Sequence, residues 1–139
     1  MNEKIKAMIH AYQEKGDFTG GISEMSICNA EQKLNCNFPI EYREFIRKYG
    51  SGGICGVEVL GIENEDHASV VKNTEKYRKL GLSREYIVIE YIDEFIYYLH
   101  IKGNEVIRWD EFSKEEIIRY ESFEFYLEDS YREAIENLA

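Results

Sequence analysis

Residues Ala30–Ile62, AEQKLNCNFPIEYREFIRKYGSGGICGVEVLGI, carry the clearest structural signals of this chain. It predicts the end of one helix, a second helix opened by Pro39, a glycine-rich turn, and a strand over roughly residues 56–62. Pro39 suits the first turn of a helix, because the N–H that proline lacks would have no partner there. Tyr42 begins an apolar stripe at helical spacing in the second helix.

Three glycines after that helix predict a sharp reversal of the chain. Gly50 is suited to end the helix, while Gly52 and Gly53 permit a close-packed turn into the strand. The run GSGGICG does not fit a phosphate-binding loop, because it lacks the G-K-S/T of a Walker loop and follows a helix instead of opening one. We therefore interpret the glycines as structural.

The remainder of the chain predicts a single α+β domain over residues 1–139. Apolar periodicity indicates helices near residues 5–12 and 27–34, the latter capped by Ser23 or Ser26, and helices near 68–80 and after Ser122. Three strand-like runs, 86–92, 95–101 and 105–109, are joined by turns short enough for hairpins. We expect the N-terminal helices and the C-terminal helix to pack on one antiparallel meander.

The composition disfavours direct contact with nucleic acid, and it fits either an ordinary acidic cytosolic protein or one that meets a basic partner. The chain has 17 Lys and Arg against 27 Asp and Glu, a net charge of −10. Such a protein would repel a phosphate backbone, and it would meet a basic protein quickly. Ten of the acidic residues and only three basic ones lie in residues 110–139. This segment is either the solvated face of a helix or an electronegative contact surface.

The cysteines and the N-terminal residues favour a cytoplasmic protein. The three cysteines form no C-x-x-C pair, which fits a reducing compartment better than a disulfide framework or a zinc site. The first residues lack the apolar run of a secretory signal, and no segment approaches the length of a membrane span. We expect no cofactor and no metal site.

Catalytic and metal-binding interpretations are open but weakly supported by spacing. The loop ENEDH at 63–67 offers oxygen and nitrogen ligands without the spacing of a known site, and Asp66 is a candidate cap for the following helix. Strand carboxylates such as Glu58 and Glu90 could serve a small hydrolase if they converged on one pocket. The three histidines are spread over a helix, a loop and a strand.

An ordered set of motifs resembles the SUKH superfamily, which is shared by a yeast cell-wall regulator and many bacterial immunity proteins. The set comprises I-x-x-A-E-x-x-L with F-P-x-x-Y-x-x-F at 27–45, Y-G-x-G-G at 49–53, H-A-S-V-V-x-x-T-x-x-Y at 67–77, and V-I-x-W-D at 106–110 followed by S-F-x-x-Y-L. The nearest resemblance is to YobK-like antitoxins. The fold-motif residues are Glu31, Pro39, Tyr42, Gly50, Gly52, Gly53 and Trp109. We expect Glu31 to fix the fold by hydrogen bonding.

The resemblance implies a non-catalytic immunity protein that binds and blocks a secreted nuclease toxin, in this branch typically an RNase. The alternative is a regulatory scaffold like the yeast relative, and a hydrolase is third. The family transfers no contact residue, so the expected toxin-binding set is chosen from exposed acidic and tyrosine positions. It comprises Glu58, Glu90, Asp93, Glu94, Tyr98, Asp110, Glu111, Glu115 and Glu116. The oligomeric state is left open.

Overall fold

The computed structural model describes residues 1–138, which form five helices and one four-stranded sheet. The elements are α1 Glu3–Tyr12, α2 Glu24–Leu34, α3 Ile40–Tyr49, α4 Ser69–Lys79, β1 Tyr86–Ile92, β2 Phe95–His100, β3 Val106–Asp110, β4 Glu115–Tyr120 and α5 Phe123–Glu136. The expected α+β arrangement of helices on a meander is confirmed. Among these residues no helix is both long and apolar enough to cross a bilayer.

The helix starts follow local capping chemistry. The side chains of Ser23 and Ser122 accept hydrogen bonds from backbone N–H groups at the starts of α2 and α5. Pro39 is the N-cap of α3, one residue before the predicted first turn. The expected cap of α4 by Asp66 is wrong. Glu63 instead accepts a 2.8 Å hydrogen bond from the backbone N–H of Ser69.

The sheet runs in the order β1-β2-β3-β4 with every pair antiparallel, and it has two different faces. The inner face carries Ile87, Leu99 and Val106 into the main core, which α5 covers with Tyr126 and other buried residues. The outer face carries the alternate positions, and α4 covers only its β1 side. There Thr74 Oγ1 accepts a 2.9 Å hydrogen bond from the Val88 N–H.

The glycine turn reverses the chain as expected, but the strand predicted over 56–62 is absent. Gly52 and Val59 exchange two backbone hydrogen bonds of 2.9 and 3.1 Å, as an isolated bridge. The Leu60 N–H donates to Ile89 on β1, and Tyr42 donates its hydroxyl to the Leu60 carbonyl at 2.6 Å. The backbone groups of Val59 and Leu60 thus bond to the glycine turn, to one residue of β1 and to one side chain. Because these partners do not belong to a single strand, no continuous ladder of hydrogen bonds forms.

Glu31 holds α2 to α3 through a buried ion pair. Its Oε2 accepts a 2.6 Å hydrogen bond from the Phe38 N–H and one of 3.1 Å from Arg43 Nε, while its Oε1 accepts from the same guanidinium at 3.1 Å. Every carboxylate contact thus goes to the loop or helix that follows α2. Glu31 contributes to the fold and is not on the candidate binding face described next.

Candidate protein-binding face

The outer face of the sheet carries an open groove with an aromatic floor. Register places Tyr98 opposite Val88 on β1 and Ile107 on β3, so these side chains share the outer face. The groove has a volume of about 640 Å³, and we call it the aromatic groove. It is lined by Tyr77, Leu80, Leu82, Tyr86, Tyr98, Ile107, Trp109, Glu111, Lys114, Glu116 and Arg119, together with Gly81 and Ser83.

The two banks of the aromatic groove differ in chemistry. Leu80 and its neighbours after α4 form an apolar bank. The β3–β4 hairpin forms an ionic bank, in which Lys114 Nζ lies 3.1 Å from a Glu111 oxygen. In the second pair of this bank, Arg119 Nη2 lies 2.7 Å from Glu116 Oε1. Both pairs are largely solvent-exposed, so each contributes at most about 1 kcal/mol and can be exchanged for other partners.

Six expected contact carboxylates gather at one end of the sheet, next to the aromatic groove. The Glu111 N–H donates a 2.7 Å hydrogen bond to the Glu94 carbonyl, which brings the β1–β2 turn against the end of β3. Asp110 is the register partner of Glu115 on β4. We call this cluster the acidic end of the sheet. Its members are Asp93, Glu94, Asp110, Glu111, Glu115 and Glu116.

Large apolar side chains are exposed around the same cluster. Tyr91 is 54% exposed on the outer face, and Phe112 is 91% exposed at the tip of the β3–β4 hairpin. Tyr98, also in the expected set, donates a 3.4 Å hydrogen bond from its hydroxyl to Glu111. Seven of the nine expected contact residues therefore meet at one region, although Asp110 and Glu115 occupy inner-face positions in the register.

Glu90 is not a surface residue, contrary to the sequence-based expectation. Its residue exposure is 2%, and it accepts a 2.5 Å hydrogen bond from the Tyr126 hydroxyl. Burial raises the pKa of its carboxyl from 4.5 to about 7, although Tyr126 and Arg108 oppose that shift. Sequence reasoning failed here because a register shift after Val88 turns Glu90 inward beneath α5.

Comparisons with known proteins agree with this architecture. The model of the family described as SMI1-KNR4 cell-wall matches residues 1–132. The chain belongs to this family. Its resemblance to the SUKH superfamily is thereby confirmed. A solved protein from Pseudomonas syringae pv. tomato aligns with a TM-score of 0.77 and 20% identity, covering 96% of this chain and 99% of that one. At this identity the likeness shows the fold alone.

The carboxylates considered for hydrolysis do not share a cavity in this SMI1-KNR4 family member. Glu90 lines a small crevice of about 230 Å³ beside α5, whereas Glu58 is exposed and is not among the residues lining that crevice. Within residues 1–138 no group of three or more His, Cys, Asp or Glu side chains is placed to hold a metal ion. The geometry gives no support to acid–base chemistry by this pair.

Sequence reasoning missed most of the aromatic groove. Tyr77 and Tyr86 come from α4 and β1, and neither was expected at a site. Trp109 was assigned to the fold motif, yet it lies half-buried in the groove. The alternation of side chains along a strand was a usable signal for Trp109, because it lies two residues from Ile107 on β3 and the two must share a face.

Proposed function

We propose that this protein is an immunity protein, which neutralises a basic secreted toxin by stoichiometric binding through the outer face of its sheet. The partner class proposed is a nuclease, and within it an RNase. The observation that carries the proposal is the aromatic groove, which opens beside the acidic end of the sheet. Exposed aromatic side chains supply contact area at low entropic cost, and carboxylates steer a basic partner.

Inhibition follows from the electrostatics of nucleases. An enzyme that binds RNA must present cations to phosphates, so its active cleft is basic. An acidic surface with aromatic anchors can occupy that cleft, since affinity depends on a few desolvated contacts inside a polar rim. In this proposal Asp93, Glu94, Glu111 and Glu116 accelerate the encounter. Tyr91, Phe112 and the groove residues provide the anchors.

The deciding experiment pairs the protein with the toxin encoded beside its gene. Co-expression should restore growth, and the two proteins should elute together from a sizing column. Tyr91→Ala combined with Phe112→Ala should weaken binding about tenfold or more, as expected for anchor residues. Phe125→Ala is a matched control, because Phe125 is 57% exposed but lies on α5. Failure of rescue, or equal weakening by the control, would contradict the proposal.

A regulatory scaffold is the second candidate, because the matched family is described by its cell-wall relatives. This role would also use a protein-binding face, but it requires no toxin. A long upstream gene that ends in a nuclease domain favours immunity, and its absence favours the scaffold.

A further inference from the structure

The aromatic groove has the composition of a receptor for a cationic side chain. Tyr86 and Tyr98 have ring centroids 6.1 Å apart, and Tyr77 and Trp109 line the same groove. The faces of these rings carry partial negative charge, which attracts cations. The carboxylate of Glu111 stands at the same groove, where it accepts a hydrogen bond from the Tyr98 hydroxyl.

The chain's own cations show that the carboxylates of the groove are accessible to a positive group. Lys114 reaches Glu111 at 3.1 Å, and Arg119 reaches Glu116 at 2.7 Å, both from the exposed β3–β4 hairpin. Such exposed pairs are weak and exchangeable. An incoming cation that also contacts an aromatic ring gains an interaction that these internal pairs do not have.

We infer that the aromatic groove binds an arginine side chain of the partner, with the guanidinium stacked on the rings and bonded to the ionic bank. Arginine fits better than lysine because its planar guanidinium can stack and can donate two parallel hydrogen bonds to a carboxylate. Two carboxylates of the acidic end, Glu111 and Glu116, line the groove beside the two cations of the bank, and the other four lie at the adjacent end of the sheet. This inference rests on the proposed function, since it names the chemistry by which the partner is held.

The single tryptophan of the chain is Trp109, so intrinsic tryptophan fluorescence reports on this groove directly. The probe is the tripeptide Ac-Gly-Arg-Gly-NH2, titrated at constant ionic strength. The same peptide with citrulline is its neutral isostere, and a lysine version tests the stacking requirement. We expect the arginine peptide to bind about tenfold more tightly than the citrulline peptide, with the lysine peptide between them.

A variant that should bind the peptide more tightly is included, because misfolding cannot explain an increase in affinity. Lys114→Gln removes the internal competitor for Glu111 and should tighten arginine-peptide binding about two- to threefold. Lys102→Gln makes the same change of charge on the exposed β2–β3 turn and should have no effect. Glu111→Gln should weaken binding about fivefold.

Equal binding of the arginine and citrulline peptides would overturn the inference, as would equal binding of the arginine and lysine peptides. Absence of any saturable fluorescence change would overturn it too. These failures are separable from failure of the proposed function. Toxin neutralisation without arginine selectivity would leave immunity intact, whereas selective peptide binding without any toxin complex would remove immunity and keep the cation site.

Discussion

Two buried carboxylates are accommodated by opposite means. Glu31 is paired with the Arg43 guanidinium and bonded to a backbone N–H, so its charge is compensated inside the fold. Glu90 receives one hydroxyl hydrogen bond from Tyr126 and lies deep under α5. Removing the partner of a paired charge leaves an uncompensated group, whereas neutralising an unpaired charge removes a desolvation cost.

Glu31→Ala is expected to lower the free energy of unfolding by about 3 kcal/mol, because it leaves the Phe38 N–H without its acceptor and the Arg43 guanidinium with only its exposed partner, Glu24. Urea denaturation measures the change. Glu24→Ala is the matched control, since Glu24 is the exposed partner of the same arginine at 2.6 Å and its removal should cost much less stability. Similar losses for the two variants would refute the structural role of Glu31.

Glu90→Gln is expected to stabilise the protein increasingly as the pH rises. The unfolded chain ionises Glu90 near its ordinary pKa of 4.5, whereas burial raises the folded pKa to about 7. Between these values the unfolded state binds fewer protons, so the wild type loses stability with rising pH until the folded carboxyl has ionised. The advantage of the variant should therefore grow by about 2–3 kcal/mol between about pH 5 and about pH 8.

Denaturant midpoints across that pH range provide the measurement. The charged groups acting on Glu90 are Arg108 on β3 and Glu58 in the segment between α3 and α4, with Tyr126 on α5 as hydrogen-bond donor. Tyr126→Phe removes that donor and should steepen the pH dependence, because the hydroxyl favours the ionised form. A pH-independent difference between wild type and Glu90→Gln would contradict the assignment.

At the scale of elements, the glycine turn depends on backbone contact as much as on dihedral angles. Gly52 has a φ of 104°, and a Cβ at this position would collide with the Asp17 carbonyl oxygen. Gly56 also has a positive φ of 85°, but a Cβ there meets nothing within 4 Å. A substitution at Gly52 therefore tests the steric collision together with the left-handed conformation, whereas a substitution at Gly56 tests the conformation alone.

Gly52→Ala is expected to destabilise the fold by about 3 kcal/mol or more, since the loop at Asp17 must move to admit the methyl group. Gly56→Ala should cost only about 1 kcal/mol, the usual penalty for a left-handed conformation. Thermal unfolding of the two variants provides the comparison. Equal losses of stability in the two variants would show that the loop at Asp17 can move at little cost in free energy.

Helices were predictable from the sequence where caps and apolar stripes coincided, as at Ser23 and Ser122. Strands were predictable where hydrophobic runs were buried, as in β1. β4 was missed because Glu115–Tyr120 is exposed along most of its length and carries no alternation. The aromatic groove could not be predicted, because it depends on how α4 and all four strands align in space.

At the scale of the whole molecule, charge is segregated. The acidic end of the sheet lies at the ends of β1 and β3, whereas α4 carries Lys72, Lys76, Arg78 and Lys79 with one glutamate, Glu75. Separated charges of opposite sign produce a dipolar field as well as a net charge. Such a field turns a basic partner during its approach as well as attracting it.

The association rate with the proposed toxin partner is expected to fall about tenfold between low and high salt, while the dissociation rate changes little. Stopped-flow mixing measures both rates. Glu94→Lys should slow association further, whereas Glu14→Lys, in the loop after α1, should have a smaller effect. An association rate indifferent to salt would point to a contact governed by the tyrosines alone.

The exposed strand β4 has a consequence for the solution behaviour of the free protein. Within residues 1–138 it is a terminal strand of the sheet, with β3 on one side and an unpaired backbone edge on the other. Such edges recruit foreign strands and begin aggregation, and charged side chains are one natural defence against this. Glu115, Glu116 and Arg119 occupy three of the six positions of β4. The charged side chains of the proposed binding face thus also protect this edge from pairing with foreign strands.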